Sequence, residues 1–358
     1  MPTVMRVSVA LILVVLLQSC ATAPTVMRYF PEDDTPPVAM TWPAPPDVAR
    51  LEFAGLLVGE VNFTTAADAR DGMGVRLWRW IAGLGGRQAE IQQLLRPQTG
   101  LVDSNGRILV TDVGRQAVMV FDEAAGSFSV WEDAGDGSTF LAPIGIAARS
   151  NGEVLVADAE LGRVIVLSAD GSPLGHFGQG VVVRPAGLAI DPQTGDTYVC
   201  DAVEHDIKVF DDAGKLLHTI GRHGTGPGEF NGPTHIQFAQ GKLYVTDTLN
   251  ARVQVLATDG HVVADPIGRR GLYVGNLVRP KGVTTDRDGN VYIVESYHDH
   301  LLVFDSAGQF LLPIGGSGTG IGKFFLPSGA WSDTNDRIFV ADMFNGRVLV
   351  FKRLEDID

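Results

Sequence analysis

One pattern returns six times along this chain of 358 residues. A short apolar, β-rich run ends in an acid. Ile108-Leu109-Val110-Thr111-Asp112 opens the series, and the acids closing the later runs are Asp158, Asp201, Asp247, Glu295 and Asp342. Successive acids stand 46, 43, 46, 48 and 47 residues apart. Nine residues beyond each, a second β-rich run ends in a bulky apolar residue: Phe121, Leu167, Phe210, Leu256, Phe304 and Phe351. Before each acid lies a run that begins near a Pro-x-Gly step, as in Pro143-Ile144-Gly145, and ends at a turn such as Ser104-Asn105-Gly106. Asn-Gly and Asp-Gly steps supply the positive φ that two-residue hairpin loops require. Another turn, such as Asp212-Ala213-Gly214, leads to a fourth run, Leu216-Leu217-His218-Thr219-Ile220-Gly221. Each unit is therefore four short antiparallel strands. Four strands at a period in the mid-forties specify a β-propeller, and the 43 glycines, well above the average of about 7%, agree with so many turns.

The glycine-rich segments between units sharpen this. Gly221-Arg222-His223-Gly224-Thr225-Gly226-Pro227-Gly228-Glu229-Phe230, the similar run from Gly315 to Pro327, and Asn345-Gly346-Arg347-Val348 resemble the lead-in and hairpin of NHL repeats. The resemblance spans about residues 97 to 353 and implies a six-bladed, all-β propeller of four-stranded antiparallel blades. Inner strands start at Gly100, Gly145, Gly187, His235, Gly282 and Gly329, which gives six blades. The last unit has only three strands of its own. The run from Leu51 to Val61 is expected to supply the fourth, closing the ring and removing exposed sheet edges.

The N-terminus reads as an address. One cation, Arg6, precedes an apolar run over residues 7–17 in which Ser8 is the one polar residue. As a helix of about 1.5 Å rise it would span about 16 Å, half of a bilayer core of about 30 Å, which is signal-peptide grammar rather than a membrane span. Leu17-Gln18-Ser19-Cys20 resembles the lipobox of bacterial lipoproteins. That resemblance implies removal of residues 1–19, acylation of Cys20 and, with Ala21 following, an outer-membrane anchor facing the periplasm. The alternative is an ordinary secretory signal cut near Ala21 or Ala23. Prolines crowd residues 20–47 and favour an extended tether, which leaves residues 48–358 as the propeller. Within it, residues 73–95 break the repeat, with Leu77, Ile81 and Leu84 at helical spacing, and read as a short helix capping one propeller face or as a partner-docking element. Cys200 lies in an apolar run and reads as a buried small hydrophobe.

Composition limits the chemistry. Apolar residues make up 45% and charged residues 20%, so the chain is globular. A net charge of −14 is the wrong sign for holding a polyphosphate backbone, which excludes broad nucleic-acid binding. No nucleotide loop, nucleophile elbow or His-Glu-x-x-His run occurs. Because the acid column repeats, it reads as structural, a lock on each hairpin, with Arg163, Arg252 and Arg347 placed five residues later to pair with it. His298 and His300, at i and i+2, would share one side of an extended strand and, with His235, form a candidate zinc or copper set. His235 replaces glycine in the inner-strand column. Peptide-amidating lyases and gluconolactonases resemble this chain in their six-bladed propellers, but neither the zinc histidines of the first nor the calcium acids and asparagines of the second recur at these inner-strand starts. The sequence therefore points to an envelope-anchored, monomeric binding scaffold for a protein, peptide or glycan, with no cofactor expected. Its candidate face carries His223, His235, Lys281, Tyr297, His298 and His300. The alternative is a zinc- or calcium-dependent lyase or lactonase with its site in the central channel.

Overall fold

The computed structural model describes residues 25–30, 39–65 and 91–354. They form an NHL-like six-bladed β-propeller. Blade 1 consists of Pro97–Val102, Ile108–Asp112, Ala117–Asp122 and Ser127–Trp131, each hydrogen-bonded antiparallel to the next. Blades 2, 3 and 5 repeat this order over residues 143–177, 185–220 and 280–315. Blade 6 takes its outer strand from the other end of the chain: Leu51–Leu57 pairs along Arg347–Arg353, as the sequence predicts.

Burial explains why the second strand of each blade is almost wholly apolar. Ile108–Asp112 is buried at all five positions, as is Val154–Asp158, because each blade packs a neighbour on both of its faces and leaves no side for polar residues. Six apolar clusters result, one at each junction between neighbouring blades. Near the axis the blades approach closer still. A Cβ at Gly187 would lie 2.7 Å from the Cα of His235, and one at Gly282 would lie 2.3 Å from the backbone nitrogen of Ala330. The inner-strand glycines are thus contact points between blades rather than turn residues.

Three features differ from the sequence reading. Blade 4 has three strands, Pro233–Ala239, Lys242–Asp247 and Arg252–Leu256. At its outer edge only isolated bridges form, Leu256 with Val262 and Val253 with Ile267, since Pro266 and the run of loop residues around it cannot sustain a ladder. The described parts of the proline-rich stretch, residues 25–30 and 39–47, are also packed on the propeller rather than forming a free tether. Thr25–Met27 pairs with Phe63–Thr65, Thr41–Trp42 adds a fifth strand to blade 6, and Phe30 and Trp42 pack edge-on against Phe53 and Phe351. Of the expected helix at 73–95, residues 73–90 lie outside the described residues, as do Cys20 and the signal. Residues 91–95 are irregular rather than helical, with Gln93 bridging Gly59 and Leu94 in the core.

Candidate docking face

Each first strand starts, and each second strand ends, at the same face of the disc, as the pairings of Pro97 with Asp112 and Pro143 with Asp158 show. This upper face also carries the hairpins between second and third strands and the segments leading from blade to blade. The repeating acids sit just beneath it, fully buried. What they hold is backbone. Asp112 accepts from the amides of Leu95, Arg96, Gly114 and Arg115. Asp158 does the same with Leu141, Ala142, Glu160 and Leu161, and Asp201 with Val183, Arg184, Val203 and Glu204. Glu295 reaches Val278, Arg279 and Tyr297, its extra methylene absorbed in the span. Each carboxylate so welds a hairpin to the segment entering its blade, and charge-assisted bonds to several amides offset its burial.

The expected arginine partners follow in two blades only. Arg252 and Arg347 each donate to their acids, Asp247 and Asp342, at 2.9 Å. Arg163 does not pair with Asp158. It turns to Asp136 and Ser138 of an inserted hairpin on the rim, because four backbone amides already occupy the Asp158 carboxylate.

Pinning the backbone fixes where the neighbouring side chains point. Two residues per blade are held at this junction: one just before the first strand, by the carboxylate, and one two residues after the acid, by the carboxylate in blades 1, 2, 3 and 5 and by the backbone carbonyl of Asn231 or Phe325 in blades 4 and 6. In blade order their exposed apolar members are Leu95, Leu141, Val183 with Val203, Leu249, Tyr297, and Phe325 with Phe344. Every blade contributes at least one, and Phe325 and Phe344 touch, ring centres 5.5 Å apart. The result is an apolar collar on a rigid base. Exposed apolar side chains recurring at one face of every blade make that face the candidate interaction surface. Of these residues only Tyr297 was singled out from the sequence. The others stand at constant offsets from the acid column, and that offset is the signal that finds them.

The remaining sequence candidates lie on or beneath this face without forming one centre. The rings of His205 and His223 lie 4.5 Å apart, tilted by 48°, and those of Tyr297 and His298 meet edge-on at 5.0 Å. His298 and His300 do not share a strand face. Residues 296–299 form a turn, with Asp299 at φ 55°, and His300 opens the third strand of blade 5. His235 stands instead in the wall of the central channel, a cavity of about 220 Å³ lined by first-strand residues including Thr99, Gln237, Thr284 and Trp331, with no Asp, Glu, Lys or Arg among them. Burial, with Lys281 beside it, holds the His235 imidazole neutral, its pKa lowered to about 3. Burial and the neighbouring Arg279 also lower Lys281. Among the described residues no three His, Cys, Asp or Glu side chains are gathered to hold a metal ion, and His235, His298 and His300 are not brought together. Cys200 is buried, as expected, and burial raises its thiol pKa.

Comparison with known proteins agrees with the fold. A family model described as a 6-bladed beta-propeller matches residues 190–253 and 276–356. Among curated proteins, the chain is 36% identical over 85 residues to the human NHL-repeat-containing protein 4, spanning 64% of its length. It is 28% identical over 142 residues to the Drosophila melanogaster protein brain tumor, spanning 13% of it. Its matches thus cover less than two thirds of either relative. Among solved structures, a streptogramin B lyase superposes with TM-score 0.54 at 13% identity, over 73% of this chain and 94% of that one. An auxiliary nutrient binding protein from Bacteroides ovatus superposes with TM-score 0.56 at 14% identity, over 73% and 70%. One fold serves a lyase and a binding protein, so fold alone does not assign the activity.

Proposed function

We propose that this protein is an envelope-anchored binding scaffold, held to a bacterial membrane by lipid at Cys20 and docking a protein partner on its upper face. The apolar collar carries this reading. Eight exposed apolar side chains, supplied by all six blades, stand on hydrogen-bonded backbone, six of them held directly by buried carboxylates and Leu249 and Phe344 by the carbonyls of Asn231 and Phe325. A surface of this kind loses little freedom on binding, which is where rigid aromatic and aliphatic anchors gain affinity. The sequence candidates Tyr297, His298 and His300 lie at this face, and His235 lies in the channel below it.

Replacing Leu249, Tyr297 and Phe344 with serine tests the reading. These side chains are exposed, so the melting temperature should stay within about 2 °C, a change of about 1 kcal/mol for a domain this large. Partners that co-purify with the full-length protein from solubilised envelope should be lost, since three anchors at about 1–2 kcal/mol each amount to more than a hundredfold in affinity. An unchanged set of partners would refute docking at this face. Cys20→Ala should move the protein from the membrane to the soluble fraction.

A further inference from the structure

The two faces of the disc differ in charge. Among the described residues, the connections at the upper face comprise residues 58–62, 91–96, 113–116, 132, 140–142, 159–162, 178–184, 202–205, 221–232, 248–251, 268–279, 296–299 and 316–329 with 343–346. They hold eight Arg or Lys and six Asp or Glu. Those at the lower face, residues 43–50, 103–107, 123–126, 149–153, 168–172, 191–196, 211–215, 240–241, 257–261, 286–290, 305–309 and 333–336, hold five and fifteen. The inserted hairpin at 133–139 lies on the rim and belongs to neither. In a chain of net charge −14, the upper face is therefore the one that attracts anions. Its most prominent feature joins both properties. Leu272, Tyr273 and Val274 are 71%, 83% and 55% exposed, directly after Arg269 and Arg270. Arg270 donates to the carbonyl of Leu249, which ties this loop to the collar.

A basic, aromatic surface also suits an anionic lipid headgroup layer, and the N-terminus decides between the two. Thr25 enters the fold with its carbonyl against Gly126, in the lower-face connection of blade 1. Four residues lie between it and Cys20, and the five steps of chain reach at most about 17 Å fully extended. A five-residue strand alone rises about 17 Å, and the connections at both ends add to the height of the disc. A lipid on Cys20 therefore cannot lay the upper face on the bilayer. Resting on the anchored-scaffold reading, we infer that the anchor holds the upper face away from the membrane and that this face docks an acidic polypeptide.

Photocrosslinking residues placed at Leu249 and Tyr273, and at Glu123 and Asp212 on the lower side, test this in the full-length protein in intact cells. The upper positions should give a discrete adduct with another polypeptide that the lower ones do not. Once identified by mass spectrometry and purified, that polypeptide should bind at least tenfold more weakly in 500 mM than in 50 mM salt. It should also bind at least tenfold more weakly to the Arg269→Glu, Arg279→Glu variant, whose melting temperature is unchanged. Crosslinks from Tyr273 to lipid, an adduct of twice the protein's own mass, or a glycan adduct would overturn the inference. So would a partner whose binding ignores salt, and in that case the scaffold reading would survive. If no upper position gives an adduct, both readings fall.

Discussion

At His235 burial changes the ordinary chemistry of the side chain within the acid range. Its imidazole pKa falls from the usual 6.5 to about 3 through burial and Lys281. In the unfolded chain it takes up a proton as pH drops through 6.5, while the folded protein resists until about pH 3. The unfolded state thus binds more protons in this window, so stability complete above pH 6.5 drains away as pH falls. His235→Gln should flatten that acid limb by up to about 1.4 kcal/mol per pH unit. Urea unfolding at pH 7, 5 and 4 measures it, and equal slopes in variant and parent would contradict the assignment. The acids beneath the upper face fail differently. Asp158→Ala strips the acceptor from four amides at once and should destabilise by about 3 kcal/mol or more. Asp158→Asn, which keeps one acceptor oxygen, should lose less in the same unfolding assay. That these acids are structural was legible from their repetition. Their partners were not, because amides 16–18 residues upstream leave no side-chain signature, and Arg163 was claimed by Asp136 in an insertion outside the repeat.

At the level of elements, the strands that the sequence disclosed best are those buried on both faces, since nothing polar interrupts them. Outer strands are half-exposed, and their pattern fades. The sequence therefore suggested a fourth strand in blade 4, where the structure has only bridges at Val262 and Ile267. It did locate Leu51–Leu57, which closes blade 6 and so carries more apolar positions than other outer strands. Leu51, Phe53, Leu56 and Leu57 are all buried, whereas Leu216–Ile220, the outer strand of blade 3, buries only Ile220. The same substitution should therefore act unequally. Leu56→Asp places a charge in the core and should cost about 4 kcal/mol or more. Leu217→Asp, at an exposed site, should stay within about 1 kcal/mol. Equal losses by chemical denaturation would show that Leu51–Leu57 is an ordinary edge strand.

Across the whole molecule, closure makes the six blades one cooperative unit. Each apolar cluster is shared between two neighbours, including the pair formed by the first and last blades, where Leu57 packs with Ile108 and Val348. An open array of such blades would behave as a chain of nearest-neighbour units that can fray from its ends, but a closed ring has no end. The chain beginning at Thr25 should accordingly melt in a single transition, with calorimetric and van't Hoff enthalpies equal. Starting instead at Gly59 removes Thr25–Met27, Thr41–Trp42 and Leu51–Leu57 together. That strips the closing strand from Arg347–Arg353 and leaves its unpaired amides and carbonyls at an exposed edge. Because that strand carries the chain from the sixth blade into the first, its loss leaves their junction as the one that no covalent connection crosses. The shortened protein should lose the single transition, aggregate at micromolar concentration and elute from gel filtration as oligomers. A shortened protein that stays monomeric and melts like its parent would show that the ring is held by blade-to-blade packing alone, with the N-terminal strand contributing nothing.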